Sequence, residues 1–153
     1  MNDDFGIDEG IRFVDGKIYS DDRGFLVSIN DFNPNLYKRL YIVKNHSERF
    51  VRAWHAHKQE RKAFLCLSGA FMIGLIKLTD FNNPSRNLPV SRFVISARNP
   101  GVLLVPGGFA NGLMNLSPEA EVLVFSSFTL GESQGDDYRF PFDYWNVWEP
   151  NYR

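Results

Sequence analysis

The sequence predicts an all-β fold, a sandwich or barrel of two antiparallel sheets, from two observations. Short runs rich in β-branched and aromatic residues recur at intervals of about ten residues. Clusters of Gly, Pro, Asn and Asp separate these runs, and no segment has the apolar spacing of a long amphipathic helix. Many short strands at such intervals favour a sandwich or a closed barrel, because closure covers the strand edges.

Each strand is predicted from an apolar run that is bounded by turn residues. The predicted strands are residues 25–29, 39–43, 50–57, 63–67, 70–78, 92–95, 102–105 and 121–128. The turns between them are predicted at residues 22–24, 33–35, 68–69, 82–85, 99–101 and 106–108. The polar segment 79–91 is interpreted as a loop, either solvated or acting as a lid that faces a substrate.

Composition and charge predict a single domain over residues 1–153. The length matches a common domain size, and the 44% apolar content is sufficient for one core. A net charge of −1 disfavours nucleic-acid and anionic-membrane partners. No apolar run reaches the roughly 18 residues that a membrane-spanning helix needs. Because the acidic start of the chain lacks a signal-peptide pattern, we expect a cytoplasmic protein.

Two of the three histidines, His55 and His57, lie two residues apart in a predicted strand. Such residues point to the same face, so both imidazoles are predicted to enter one cavity. The pair suits either a metal site or an acid–base site. Arg52 and Lys62 lie nearby in the sequence and can supply positive charge to an enolate oxygen.

Two segments resemble the metal motifs of the cupin family. His55-x-His57 followed by Gly69 is similar to the first motif, and residues 101–115 are similar to the second. The resemblance implies a cupin jelly-roll β-barrel, which is a double-sheet antiparallel sandwich.

The residues at the other ligand positions of these motifs argue against a metal. The family's glutamate position holds Lys62, and its second-motif histidine position holds Asn111. An ammonium group has no free lone pair at neutral pH and repels a divalent ion. We therefore predict no metal and no cofactor. The alternative is a metal-binding cupin enzyme that uses His55 and His57, with water or Glu60 completing a weak site.

Within the cupins, the chain resembles enzymes that isomerise nucleotide-linked sugars. Residues 22–26, 38–41, 52–58 and 64–69, including the His-Ala-His-Lys run, look like the dTDP-4-keto-6-deoxyglucose 3,4-ketoisomerases. Residues 105–112 and 116–117 look like dTDP-4-dehydrorhamnose 3,5-epimerase. Both relatives enolise their substrate beside C4. The resemblance implies a metal-free isomerase for a dTDP-linked 4-keto-6-deoxyhexose, in deoxysugar or surface polysaccharide biosynthesis.

The resemblance also implies roles for individual residues. His55 is the implied catalytic base, His57 a second proton carrier and Tyr41 a further catalytic residue. The predicted substrate-binding residues are Arg23, Arg39, Arg52, Lys62, Asn111 and Tyr138. Arginines suit a diphosphate because a guanidinium group binds it in a bidentate manner.

The aromatic C-terminal run, residues 136–153, is predicted to form a flap that seals one end of the barrel. In the epimerases, an aspartate near the chain end orients the histidine base. We predict Asp143 for this role, in preference to Asp136 or Asp137.

The tyrosine acid of the epimerases has no counterpart, because Val124 and Phe125 occupy the matching strand. Tyr138 or Tyr144 is interpreted as a replacement. The loss favours 3,4-ketoisomerisation or C3 epimerisation over full 3,5-epimerisation.

A non-catalytic protein that binds a sugar nucleotide is the third alternative. Since cupins of this kind pair, we expect a homodimer.

Overall fold

The computed structural model of the chain describes residues 10–149, which form two five-stranded antiparallel sheets and a separate hairpin. The strands are β1 (Arg12–Asp15), β2 (Lys17–Asp21), β3 (Gly24–Ser28), β4 (Arg39–Lys44), β5 (Val51–His57), β6 (Lys62–Ser68), β7 (Ala70–Lys77), β8 (Ser91–Ser96), β9 (Gly101–Val105), β10 (Phe109–Asn115), β11 (Glu121–Ser126) and β12 (Tyr138–Arg139). A 3₁₀ turn (Pro34–Leu36) precedes β4, and a short helix α1 (Leu130–Gln134) precedes β12.

The first sheet has the strand order β1-β9-β6-β11-β4, and the second has the order β12-β5-β10-β7-β8. Strands β2 and β3 pair only with each other. The predicted double-sheet antiparallel sandwich is confirmed. No helix within residues 10–149 has both the length and the apolar character that crossing a membrane requires.

All eight predicted strands are present, but β1, β2, β10, β12 and α1 were not predicted as elements. Strand β10 is buried along its whole length, so its sequence lacks the alternation of a half-buried strand. Helix α1 has only five residues, too few for an apolar period, and a capping box formed by Thr129 and Glu132 fixes its start.

The main core lies between the two sheets. Its deeply buried members include Phe64, Phe71, Ile73, Leu75, Leu103 and Val122. Phe64, Leu113 and Val124 belong to this core and also line a cavity beside it. Core packing on both sheets therefore supports the walls of the cavity.

The described part of the C-terminal run covers the outer face of the second sheet. Trp145 and Trp148 pack against Trp54, whose indole N–H donates to the carbonyl oxygen of Phe142 at 3.1 Å. A Cβ on Gly112 would lie 2.7 Å from the Trp148 ring, so glycine permits this close packing. Residues 150–153 of the predicted flap lie outside the described residues.

The same C-terminal run fastens the polar loop at residues 79–91. Tyr144 donates its hydroxyl to the carbonyl of Pro84 at 2.5 Å, and Trp145 donates its indole N–H to the carbonyl of Ser85 at 2.9 Å. None of these loop residues lines the cavity between the sheets. Within the described chain, the loop is therefore held on the outer face of the second sheet and not as a lid over that cavity.

Candidate active site

A cavity of about 420 Å³ opens between the two sheets. Seven residues that the sequence predicts for the site line it, namely Arg39, Tyr41, Arg52, His55, His57, Lys62 and Asn111. Helix α1 contributes Ser133 and Gln134, and the segment that follows it contributes Asp137 and Arg139. The cavity is thus rich in cationic and hydrogen-bonding side chains.

The other three predicted residues, Asp143, Arg23 and Tyr138, do not line the cavity. Asp143 is exposed. At this point the chain has already crossed to the outer face of the second sheet, where the neighbouring Phe142 accepts a hydrogen bond from Trp54. Asp143 therefore does not make the predicted contact with a histidine. Arg23 lies in the turn between β2 and β3, where it forms an ion pair with Asp21.

Tyr138 faces outward because successive residues of β12 alternate between the two faces. Its ring packs against Phe81, and the Lys58 ammonium lies 5.2 Å from the ring centroid. The next residue, Arg139, lines the cavity in its place. Tyr138, which the sequence predicts as a substrate-binding residue, therefore does not line this cavity.

A bulge in β5 brings Arg52 to the same cavity as the two histidines. His55 pairs with Asn111 of β10, and Arg52 pairs with Leu113, with a register shift between them. Three residues along β5 thus span the same length as two residues along β10. The extra residue reverses the alternation of side chains along β5, so that Arg52 faces the same side as the histidines. Arg52 donates its Nε to the side-chain oxygen of Asn45 at 2.7 Å, which fixes its direction.

His57 is the more buried of the two histidines, with a side chain 6% exposed. Its Nδ1 lies 2.6 Å from the carbonyl oxygen of Asp136 and 2.9 Å from a carboxylate oxygen of Glu60. The Asp136 carboxylate accepts backbone N–H groups from residues 58, 59 and 60 at 2.7, 2.8 and 2.9 Å. Asp136 therefore fixes both His57 and the turn that carries Glu60.

Glu60 has a fully buried side chain. Burial by itself would raise the pKa of this carboxyl, but hydrogen bonds from His57 and Ser126 and the charge of Lys62 outweigh it and lower the pKa to about 2. Sequence reasoning considered Glu60 only as a ligand of a weak ion site. Its position three residues after His57, in the turn after the histidine strand, is the signal that was available.

His55 is more accessible, with a side chain 40% exposed, and its Nδ1 lies 4.0 Å from an Asp137 carboxylate oxygen. Burial and the nearby charge of Arg139 lower the pKa of His55, while Asp137 opposes them. Arg139 donates its Nε to Asp137 at 3.0 Å. His55 is therefore neutral at pH 7 and available as a base.

Tyr41 and Lys62 enter the cavity from the first sheet, whereas the histidines enter from the second. The Lys62 ammonium donates to the Tyr41 hydroxyl at 2.8 Å. The Arg39 guanidinium lies 5.2 Å from the centroid of the Tyr41 ring. Proton donors and cations thus face the two imidazoles across the cavity.

This donor set does not fit the metal site that the cupin motifs describe. The Lys62 ammonium lies 3.4 Å from the Glu60 carboxylate, and the Asn111 amide donates to the backbone carbonyl of His55 at 3.1 Å. The ammonium group has no free lone pair, and the amide nitrogen of Asn111 is a donor where the family's histidine would offer a ligating nitrogen. Among residues 10–149, no three His, Cys, Asp or Glu side chains converge in a metal-binding arrangement.

Comparison with known proteins gives the family and the fold. The family model FdtA, described as WxcM-like, C-terminal, matches residues 9–144. A curated relative, the probable low-salt glycan biosynthesis epimerase Agl13 of Haloferax volcanii, is 26% identical over 138 residues, which are 87% of each chain.

Two kinds of solved structure are similar to this chain. A mutant of the QdtA 3,4-ketoisomerase from Thermoanaerobacterium thermosaccharolyticum, in complex with TDP-4-keto-6-deoxyglucose, has a TM-score of 0.63 at 20% identity and covers 88% of this chain and 90% of its own. A dTDP-4-dehydrorhamnose 3,5-epimerase from Bacillus anthracis, with TDP and PPi bound, has a TM-score of 0.69 at 19% identity. The match covers 87% of this chain and 79% of the epimerase chain. These likenesses confirm the predicted cupin jelly roll.

Proposed function

Since the chain belongs to the FdtA (WxcM-like, C-terminal) family, we propose that it is an isomerase acting beside the C4 ketone of a dTDP-linked 4-keto-6-deoxyhexose. The observation that carries this proposal is the convergence of His55 and His57 in one cavity, opposite the cations and the hydroxyl of the first sheet. The relative solved with TDP-4-keto-6-deoxyglucose supports the substrate class.

In the first step, the neutral imidazole of His55 removes the proton from C3 of the sugar. The electron pair moves onto the C4 oxygen as the enolate forms. Lys62 and Tyr41 hydrogen-bond to that oxygen and stabilise its developing charge. No cofactor takes part, since the ketone itself accepts the electron pair.

The second step decides the product. If the proton held by His55 passes to Nε2 of His57 and from there to C4, while the proton of the C3 hydroxyl moves to the C4 oxygen, the ketone moves to C3 and the reaction is a 3,4-ketoisomerisation. If a proton returns to C3 from the opposite sheet, where Tyr41 offers its hydroxyl, the reaction is an epimerisation. Because His55 and His57 belong to the same strand, transfer between them on one side of the sugar favours ketoisomerisation.

The diphosphate of the substrate is assigned to the cations at the cavity wall. Arg39, Arg52 and Arg139 line the cavity, and guanidinium groups bind phosphate oxygens in a bidentate manner.

The non-catalytic alternative predicts tight binding of the nucleotide sugar without turnover. We assign the reaction to the cytoplasm.

The protein is proposed to act as a homodimer. The β2–β3 hairpin exposes Tyr19, Phe25 and Leu26 at 54%, 75% and 59%, an apolar surface that a second copy would cover. Arg23, at the turn of the same hairpin, lies outside the cavity of its own chain. Docking of the hairpin on a second copy provides the route by which Arg23 would meet a substrate phosphate.

Proton NMR of dTDP-4-keto-6-deoxyglucose with the protein in heavy water tests the proposal. We expect deuterium to replace the C3 hydrogen, and His55→Asn to abolish the exchange while circular dichroism shows an intact fold. Movement of the ketone to C3 identifies ketoisomerisation, and inversion at C3 with the ketone retained at C4 identifies epimerisation. Absence of exchange with every 4-keto nucleotide sugar tried would refute the proposal.

A further inference from the structure

We propose that Glu60 is a positioning residue that acts as the shared counter-ion of His57, Lys62 and Arg39 and holds them in their working arrangement. This inference rests on the proposed function for its kinetic consequence. Its structural consequence, namely which ring nitrogen of His57 carries the proton, can be measured without any substrate.

The two carboxylate oxygens of Glu60 meet donors from five elements. One oxygen lies 2.9 Å from Nδ1 of His57 on β5 and accepts the hydroxyl of Ser133 on α1 at 2.9 Å. The other lies 3.4 Å from both the Arg39 guanidinium on β4 and the Lys62 ammonium on β6, and accepts the hydroxyl of Ser126 on β11. A single side chain therefore joins both sheets and the helix at one side of the cavity.

The burial of Glu60 shows why this arrangement requires its partners. A carboxylate with no exposed surface carries a large desolvation cost unless charged and hydrogen-bonding groups surround it. Conversely, Arg39, Lys62 and a protonated His57 would repel one another if no negative charge lay between them. The position of Glu60 among these cations offsets both costs.

The contacts of His57 also determine which of its nitrogens carries the proton. Nδ1 faces the carbonyl oxygen of Asp136 and the carboxylate of Glu60, and both are acceptors. Nδ1 must therefore be protonated, which leaves the lone pair of neutral His57 on Nε2. His57 lines the cavity, so Nε2 is the nitrogen that can exchange a proton with the sugar.

Glu60 itself does not carry protons in the reaction. Its low pKa keeps the carboxylate ionised throughout the physiological pH range. Its role is therefore to orient His57 and to balance the charge of Lys62 and Arg39, which distinguishes it from a general acid or base.

Nitrogen-15 NMR of the full-length protein, labelled at histidine, tests this inference. In the wild type we expect neutral His57 to carry its proton on Nδ1, and the opposite tautomer would overturn the proposal. This measurement needs no variant, so a proton found on Nε2 in place of Nδ1 would overturn the inference even where a substitution prevents folding.

Glu60→Gln supplies the second readout. Nδ1 of His57 contacts the Glu60 carboxylate and the peptide carbonyl of Asp136, and the second oxygen of Glu60 lies 3.4 Å from Lys62 and from Arg39. The substitution removes the charged one of the two acceptors at Nδ1, so we expect the nitrogen-15 shifts of the His57 ring to change. Nitrogen-15 shifts of His57 equal to those of the wild type would contradict the inference.

For kinetics, we expect Glu60→Gln to lower kcat by roughly 10–100-fold, the loss typical when the partner of a functional imidazole is removed. Glu60→Asp, which keeps the charge, should retain part of the wild-type nitrogen-15 shift of His57. Glu121→Gln removes a partly exposed carboxylate that pairs with Lys44 and should change neither kcat nor the His57 shifts. A wild type inactive on every 4-keto nucleotide sugar would refute the proposed function, while the comparison of His57 shifts between the wild type and Glu60→Gln would still test the role of Glu60.

Discussion

At the scale of single residues, the two histidines differ in the environment of their rings. His57 is buried and held at Nδ1 by two acceptors, whereas His55 is partly exposed and has only a distant carboxylate. Burial and Arg139 lower the pKa of His55, so its neutral form persists below the ordinary imidazole pKa of about 6.5. This difference suits His55 to proton abstraction and His57 to controlled proton return.

Arg139→Gln should raise the pKa of His55. The substitution removes a cation that disfavours the imidazolium form and frees Asp137 to stabilise it. Because the base must be neutral, the acid limb of the kcat–pH profile should move to higher pH, in step with the His55 titration followed by NMR. Arg98→Gln alters an exposed arginine outside the cavity and should leave the limb in place. A limb that moves to lower pH would contradict the prediction.

At the scale of secondary-structure elements, alternation along β5 was enough to predict that His55 and His57 share a face. The bulge that turns Arg52 to the same face depends on pairing with β10, and pairing between distant strands is not encoded in the local pattern. Strand β12 has only two residues, so the sequence offered no period to separate Arg139 from Tyr138. Eight of the twelve strands within residues 10–149 and both histidines could thus be predicted, while the parts played by Asp136 and Arg139 beside the histidines could not.

The link between α1, β12 and the histidine strand depends on the side chain of Asp136. In Asp136→Asn, an amide NH₂ group takes the place of one carboxylate oxygen. This donor then faces the backbone N–H donors of residues 58–60, which have lost an acceptor. We expect the free energy of unfolding to fall by about 2 kcal/mol, as judged by urea denaturation, because a buried charge-assisted hydrogen bond is lost.

Asp143→Asn is the matched control for this substitution. Its side chain is exposed and does not line the cavity, so both stability and turnover should equal those of the wild type. A loss of turnover in Asp143→Asn would instead restore the role that the sequence predicted for this residue.

At the scale of the whole molecule, the β2–β3 hairpin belongs to neither five-stranded sheet, since its two strands pair only with each other. Phe25→Asp places a charge on its most exposed aromatic side chain. If the hairpin forms the dimer interface, sedimentation velocity should show a shift from dimer to monomer. Phe142→Asp changes another exposed phenylalanine and should leave the assembly unchanged. A Phe25→Asp protein that sediments as the wild type does would exclude this interface.

The clustering of Trp54, Trp145 and Trp148 has a spectroscopic consequence. These are all three tryptophans of the chain, and they meet on the outer face of the second sheet, away from the cavity. Intrinsic fluorescence therefore reports whether the C-terminal run stays docked, and a ligand that fills the cavity without moving that run leaves the emission unchanged. Release of the run during denaturation can thus be monitored separately from occupancy of the site.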